Sequence, residues 1–165
     1  MIYYILINHF FFLSTLCIVK PHAIDKSGAI LQRVLDEGFE IGAMQFYFLS
    51  KPDATDFLEV YKGVVPEYQQ LVDELSSGIS FAFEVFIPMQ PSNKEEQEME
   101  TNVVDPFRDL CGPADPELAK MIRPKTIRAE FGVDKVRNAV HCTDLAIDGV
   151  PEVEFFFSLL PQREN

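Results

Sequence analysis

Nine residues, "ISFAFEVFI" (79–87), constrain the fold more than any other stretch of the chain. Ile79, Phe81, Phe83, Val85 and Ile87 recur with a period of two, so they share one face of a β-strand. An apolar strand face has to be covered by a second layer. The flanking sequence supplies candidates for that layer and for the rest of the sheet. "STLCIVK" (14–20) is a compact β-rich run stopped by Pro21, and "FEIGAMQFYFL" (39–49) alternates through Phe39, Ile41 and Ala43. "NAVHC" (138–142) is short and apolar, as expected of a final buried strand.

Helical patterns separate these strands. In "DKSGAILQRVLDEGF" the residues Ile30, Leu31, Val34 and Leu35 fall on one helical face, and Gly38 sits where a helix ends in the left-handed region. "DATDFLEVYKG" predicts a short helix with Asp53 as N-cap. Pro66 opens a further helix striped by Tyr68, Leu71, Val72 and Leu75. "DPFRDLC" and "DPELAKMI" predict two short helices, "RPKTIRAEFG" a long irregular connection, and "PEVEFFFSLL" a closing helix with Pro151 at its first position. The order predicts an α+β domain whose mainly antiparallel sheet carries helices on one side.

Two segments stand apart. Residues 1–13 form an almost uncharged apolar extension. Carried through to "CIVK" the run is long enough to span a bilayer. It has no basic start and no small-residue cleavage site, so it is read as lying outside the native fold rather than as a leader or anchor. The stretch 89–102 is rich in glutamate without a periodic apolar face, and reads as a solvated acidic loop insertion.

The net charge of −12 opposes any general attachment to nucleic acid or membrane surfaces. It leaves room for a small phosphorylated ligand held by local cations. Three cysteines, Cys17, Cys111 and Cys142, lack C-x-x-C spacing and fit reduced thiols in the cytoplasm.

"VKPHA", "GFEIGAMQ", "CGPADPE", "TIRAEFG" and "RNAVHCTD" occur in an order and spacing that resemble the nucleoside diphosphate kinase family over residues 14–160. "EVYKGVV" and "NAVHCTDL" look most like the last kinase domain of its ciliary member, which has an N-terminal DM10 domain and two kinase domains. The resemblance implies a ferredoxin-like, four-stranded antiparallel sheet covered by helices. It implies transfer of the terminal phosphate of a nucleoside triphosphate to a nucleoside diphosphate through a phosphohistidine, with Mg2+ bound through the nucleotide phosphates rather than by protein ligands. By that resemblance His141 is the nucleophile, with Lys20 and Glu152 as catalytic partners. Lys20, Tyr61, Tyr68, Arg108, Ala114, Arg128 and Asn138 stand at nucleotide-binding positions, Tyr68 as a substitute base clamp.

Singly, each residue has an ordinary reading: Lys20 as a solvated strand end, Arg108 and Arg128 as surface ion pairs, Tyr61 as core, Glu152 as a first-turn helix acid. Jointly they stand at family positions. Some positions depart from the family pattern. His22 replaces the usual Asp after "KP", Ala114 replaces a phosphate-binding threonine, and Cys142 and Thr143 replace Gly and Ser. The lost hydroxyl at Ala114 removes a hydrogen bond to an anion, a cost of about 1.5–3 kcal/mol. Two functional readings follow. One is an active kinase, cytoplasmic, possible as a homo-oligomer. The other is a weakly active or inactive kinase-like binding domain held in a ciliary axoneme or microtubule assembly.

Overall fold

The computed structural model describes residues 14–88 and 102–160. The apolar extension 1–13 and all but the last residue of the acidic loop 89–102 lie outside the described residues. Four strands, β1 (Ser14–Val19), β2 (Glu40–Phe48), β3 (Ile79–Phe86) and β4 (Val140–Cys142), form one sheet in the order β2-β3-β1-β4. Every neighbouring pair is antiparallel. The helices are α1 (Ser27–Asp36), α2 (Lys51–Phe57), α3 (Tyr68–Leu75), α4 (Val104–Cys111), α5 (Pro116–Ile122), α6 (Ile127–Phe131) and α7 (Gly149–Glu154).

Helices cover both faces of the sheet, not one. Cys17, Val19, Phe81, Phe83 and Val85 face Ile30 and Val34 of α1, Phe107 and Cys111 of α4, and Ile127 of α6. Leu16, Ile18 and Ala82 face Phe57 of α2, Val72 and Leu75 of α3, Val153 of α7, and Phe156. The reason lies in β1, whose six residues are all buried. A strand covered on both sides reads as a continuous apolar run rather than an alternation. Each large side chain fully buried in these layers contributes about 1.5–3 kcal/mol.

Several element starts differ from the sequence expectations. Helix α2 is capped by Ser50, whose Oγ accepts the Asp53 N–H, so Asp53 lies in the first turn instead of at the cap. Helix α3 begins at Tyr68, after Pro66. The expected irregular connection after residue 122 contains α6. Helix α7 begins at Gly149 and continues as a π-helical turn, Phe155–Leu159, where the Tyr47 hydroxyl donates to the Phe156 carbonyl. Gly149 lets this helix start lie against β1, since a Cβ there would stand 2.4 Å from the Ser14 carbonyl oxygen. The contact of α7 with β1 sets where Glu152 falls relative to β4.

Candidate active site

The site is built on a kink just before β4. Ala139 has φ +72°, rare for a residue with a Cβ. The Val140 N–H donates to the Asn138 carbonyl across it, closing a γ-turn. The turn delivers His141 into the register opposite Ile18 of β1.

His141 is buried, with its ring edge-on to Phe57 at a centroid distance of 5.0 Å. Its Nε2 lies 2.9 Å from Glu152 Oε2. The same oxygen accepts the Thr143 hydroxyl at 2.9 Å, and Thr143 Oγ1 in turn accepts the Leu16 N–H. The backbone donation forces the threonine proton toward Glu152. An ionised carboxylate only accepts, so Nε2 carries the imidazole proton and Nδ1 keeps the free lone pair. Thr143, where the family pattern has serine, thus brings a hydroxyl to Glu152.

His141 opens onto a cleft of about 770 Å³ that Lys20, Tyr61, Arg108, Ala114, Arg128 and Asn138 also line. Three cations distant in sequence thus meet at one place. Arg108 is about half exposed; it donates to the Asp144 carbonyl at 2.8 Å and lies 3.4 Å from its carboxylate. Arg128 is tied to backbone, donating to Gly112 O at 2.8 Å and Val140 O at 3.1 Å, with Cys142 Sγ 3.6 Å away. Lys20 is 7% exposed and spends one of its donors on Val136 O at 2.8 Å. Arg108 thus pairs with a carboxylate, whereas among the described residues Lys20 and Arg128 form no salt bridge.

Burial here shifts protonation. Desolvation, reinforced by the Arg128 charge, pulls the Lys20 ammonium down from 10.5 to about 7. Burial, then the hydrogen bond to Asp144, pushes the Tyr61 phenol upward. The Cys142 thiol is lowered, first by a hydrogen bond from Cys111 and further by the Arg128 charge. The cleft lining carries Glu67, Asp105, Asp109, Asp115 and Asp144 alongside five Lys and Arg side chains, so positive charge is a local feature of it rather than a property of the whole cleft.

Asn138 donates from Nδ2 to Ala114 O at 2.9 Å, leaving its buried Oδ1 without a partner. Ala114 thus offers the cleft a backbone carbonyl and a methyl group. Tyr68 does not line the cleft. It packs against the core beside Leu71, with its hydroxyl oxygen buried and unpaired; the wall on that side is formed by Leu58, Val65 and Leu71. Asp144, which bonds both Tyr61 and Arg108, was not singled out from the sequence, although it stands in the same motif as His141. Phe57 was missed too, because only the packing of α2 brings it to the imidazole.

A ferredoxin-like sheet carrying a carboxylate-held histidine in a cleft that Lys20, Arg108 and Arg128 also line defines a candidate phosphate-handling protein. The family model for nucleoside diphosphate kinase matches residues 14–160, and the chain belongs to that family. It is 46% identical over 148 residues to nucleoside diphosphate kinase homolog 7 of Rattus norvegicus, covering 88% of this chain and 34% of the relative. The chain thus spans about a third of the length of that relative. It is 36% identical to the nucleoside diphosphate kinase of Aquifex aeolicus, covering 87% of this chain and 93% of the relative. A crystal structure of the Aquifex aeolicus enzyme superimposes with a TM-score of 0.75 at 33% identity, covering 88% of this chain and 95% of that one. Among the described residues no helix is long and apolar enough to cross a membrane.

Proposed function

We propose that the chain is a nucleoside diphosphate kinase that moves the terminal phosphate of a nucleoside triphosphate to a nucleoside diphosphate through phosphorylation of His141. The observation that carries this reading is the His141–Glu152 pair at 2.9 Å, which leaves Nδ1 as the nucleophile of a histidine that lines the cleft. Attack by Nδ1 on the terminal phosphorus forms the N–P bond as the bond to the bridging oxygen breaks. Glu152 stabilises the positive charge that develops on the ring. Lys20, Arg108 and Arg128 offset the charge on the phosphate oxygens, and the second half-reaction returns the phosphoryl group to a nucleoside diphosphate. Tyr61 and Asn138 bind nucleotide, the Asn138 Oδ1 accepting from a ribose hydroxyl.

Magnesium would enter with the nucleotide as a companion of its phosphate oxygens. When bound, it would neutralise charge on the phosphates.

Incubation with labelled ATP and magnesium tests the proposal. An acid-labile, alkali-stable phosphoprotein is expected, and its absence at saturating nucleotide would overturn it. A second reading, a kinase-like binding domain in a ciliary or microtubule assembly, is favoured by Ala114, which brings no hydroxyl to the cleft, and by the likeness to homolog 7. Nucleotide binding without phosphoenzyme would select it. Homo-oligomer formation is part of the proposal. The outer strand β2 exposes the apolar side chains of Phe46 (58%) and Phe48 (68%) on one face, surface that a second copy could cover.

A further inference from the structure

A second histidine–carboxylate pair lies on the other side of the γ-turn. His22 Nδ1 is 2.7 Å from Glu74 Oε1, and the His22 backbone N–H donates to the same oxygen at 3.1 Å. Its other nitrogen, Nε2, accepts the Ala139 N–H at 3.3 Å. An amide N–H can donate only to an unprotonated ring nitrogen. His22 is therefore a neutral imidazole with its proton on Nδ1, the opposite tautomer to His141.

The bond matters because of where it falls. Ala139 is fully buried and holds the positive φ of the turn. Its carbonyl accepts the Lys20 N–H at 2.9 Å, and its N–H goes to His22. Both polar groups of the strained residue are thus held by the segment Lys20–His22, which also carries the cleft's lysine. A strained conformation persists only where its surroundings over-determine it. Without the Nε2 acceptor, a buried N–H would be left unsatisfied at the residue that sets the direction of β4.

We propose that His22, locked as the Nδ1–H tautomer by Glu74, is a positioning residue that holds the Ala139 turn and so aims His141 into the cleft. The proposal rests on the phosphotransfer reading above for its kinetic consequence, and on the turn alone for its structural one. His22 itself is not a phosphate acceptor, since its two ring nitrogens are both engaged and it does not line the cleft.

Two variants and one spectrum test this. The ring 15N spectrum of the wild-type protein should show His22 as the Nδ1–H tautomer and His141 as the Nε2–H tautomer. His22→Phe keeps a ring of similar size but offers no acceptor. It should slow single-turnover phosphorylation of His141 by ATP at least ten-fold at saturating nucleotide, with nucleotide affinity changed no more than three-fold. It should also speed hydrogen exchange at the Ala139 amide. His22→Gln, whose amide oxygen can reach the Ala139 N–H, should recover most of both losses. A wild-type His22 carrying its proton on Nε2, or a Phe variant with undiminished rate and Ala139 protection, overturns the proposal. Should His22→Phe fail to fold, the tautomer and the Gln variant still decide: a Gln variant at least ten-fold slower than wild type, with fast exchange at the Ala139 amide, counts against it. If the wild-type protein forms no phosphohistidine, the functional reading fails separately, while the tautomer and the Ala139 exchange rate continue to judge the role of His22.

Discussion

Thr143 and His141 donate to the same oxygen of Glu152, each at 2.9 Å, from positions two apart on β4 and its continuation. One carboxylate oxygen therefore sets the tautomer of the imidazole while a hydroxyl sets the carboxylate. Replacing Glu152 by Gln should slow phosphoenzyme formation by about 10²-fold, because the amide no longer stabilises the charged ring. Replacing His141 by Ala should abolish the acid-labile label and leave nucleotide affinity within a few-fold. Quench-flow labelling with ATP measures the first, and end-point labelling with equilibrium titration the second.

Two arginines of the cleft, Arg108 and Arg128, should separate in their effects. Arg108 is about half exposed, so Arg108→Ala should weaken nucleotide binding roughly ten-fold, the size of one charge-assisted contact, with little change in melting temperature. Arg128 also holds the carbonyls of Gly112 and Val140, so Arg128→Ala should weaken binding and lower stability by roughly 2–4 kcal/mol. Equilibrium titration and urea melts on the same preparations distinguish the pair.

Lys20 links nucleotide binding to pH. Its folded-state pKa of about 7 lies below the ordinary value of 10.5, so between those limits the unfolded chain binds the extra proton. The stability of the free protein should gain from this group as pH rises through that window, and carry its cost below it. A bound polyphosphate restores the charge. Binding above pH 7 should then take up a proton, and affinity should fall by up to about ten-fold per pH unit. Calorimetry at pH 8 in buffers of different ionisation heat should report the uptake, and Lys20→Met should remove it.

Tyr68 should prove indifferent to nucleotide. Its hydroxyl oxygen is buried without a partner, away from the cleft lining. Tyr68→Phe should leave nucleotide affinity unchanged and raise stability by up to about 1 kcal/mol. A loss of affinity in the phenylalanine variant would restore Tyr68 to the site.

The strands and most helices were legible because local signals carry them. Period two in 79–87, helical spacing in 30–35 and a left-handed glycine at 38 are properties of neighbouring residues. The motif around His141 was legible as a family pattern, and the same pattern singled out Lys20, Arg108 and Arg128, which line one cleft with it. What the sequence by itself could not determine was anything set by residues far apart meeting. The second covered face of the sheet depends on β1 lying between two helical layers, and an unbroken apolar run does not say how many sides will be buried. The Tyr68 stripe position reads equally as a clamp or as core, and only the packing of α3 decides for core. The opposite tautomers of His22 and His141 are decided by Glu74 and Glu152, which lie 52 and 11 residues away along the chain. Hydrogen-bond geometry assigns a ring proton, and that geometry exists only once β1, α3, β4 and α7 have packed.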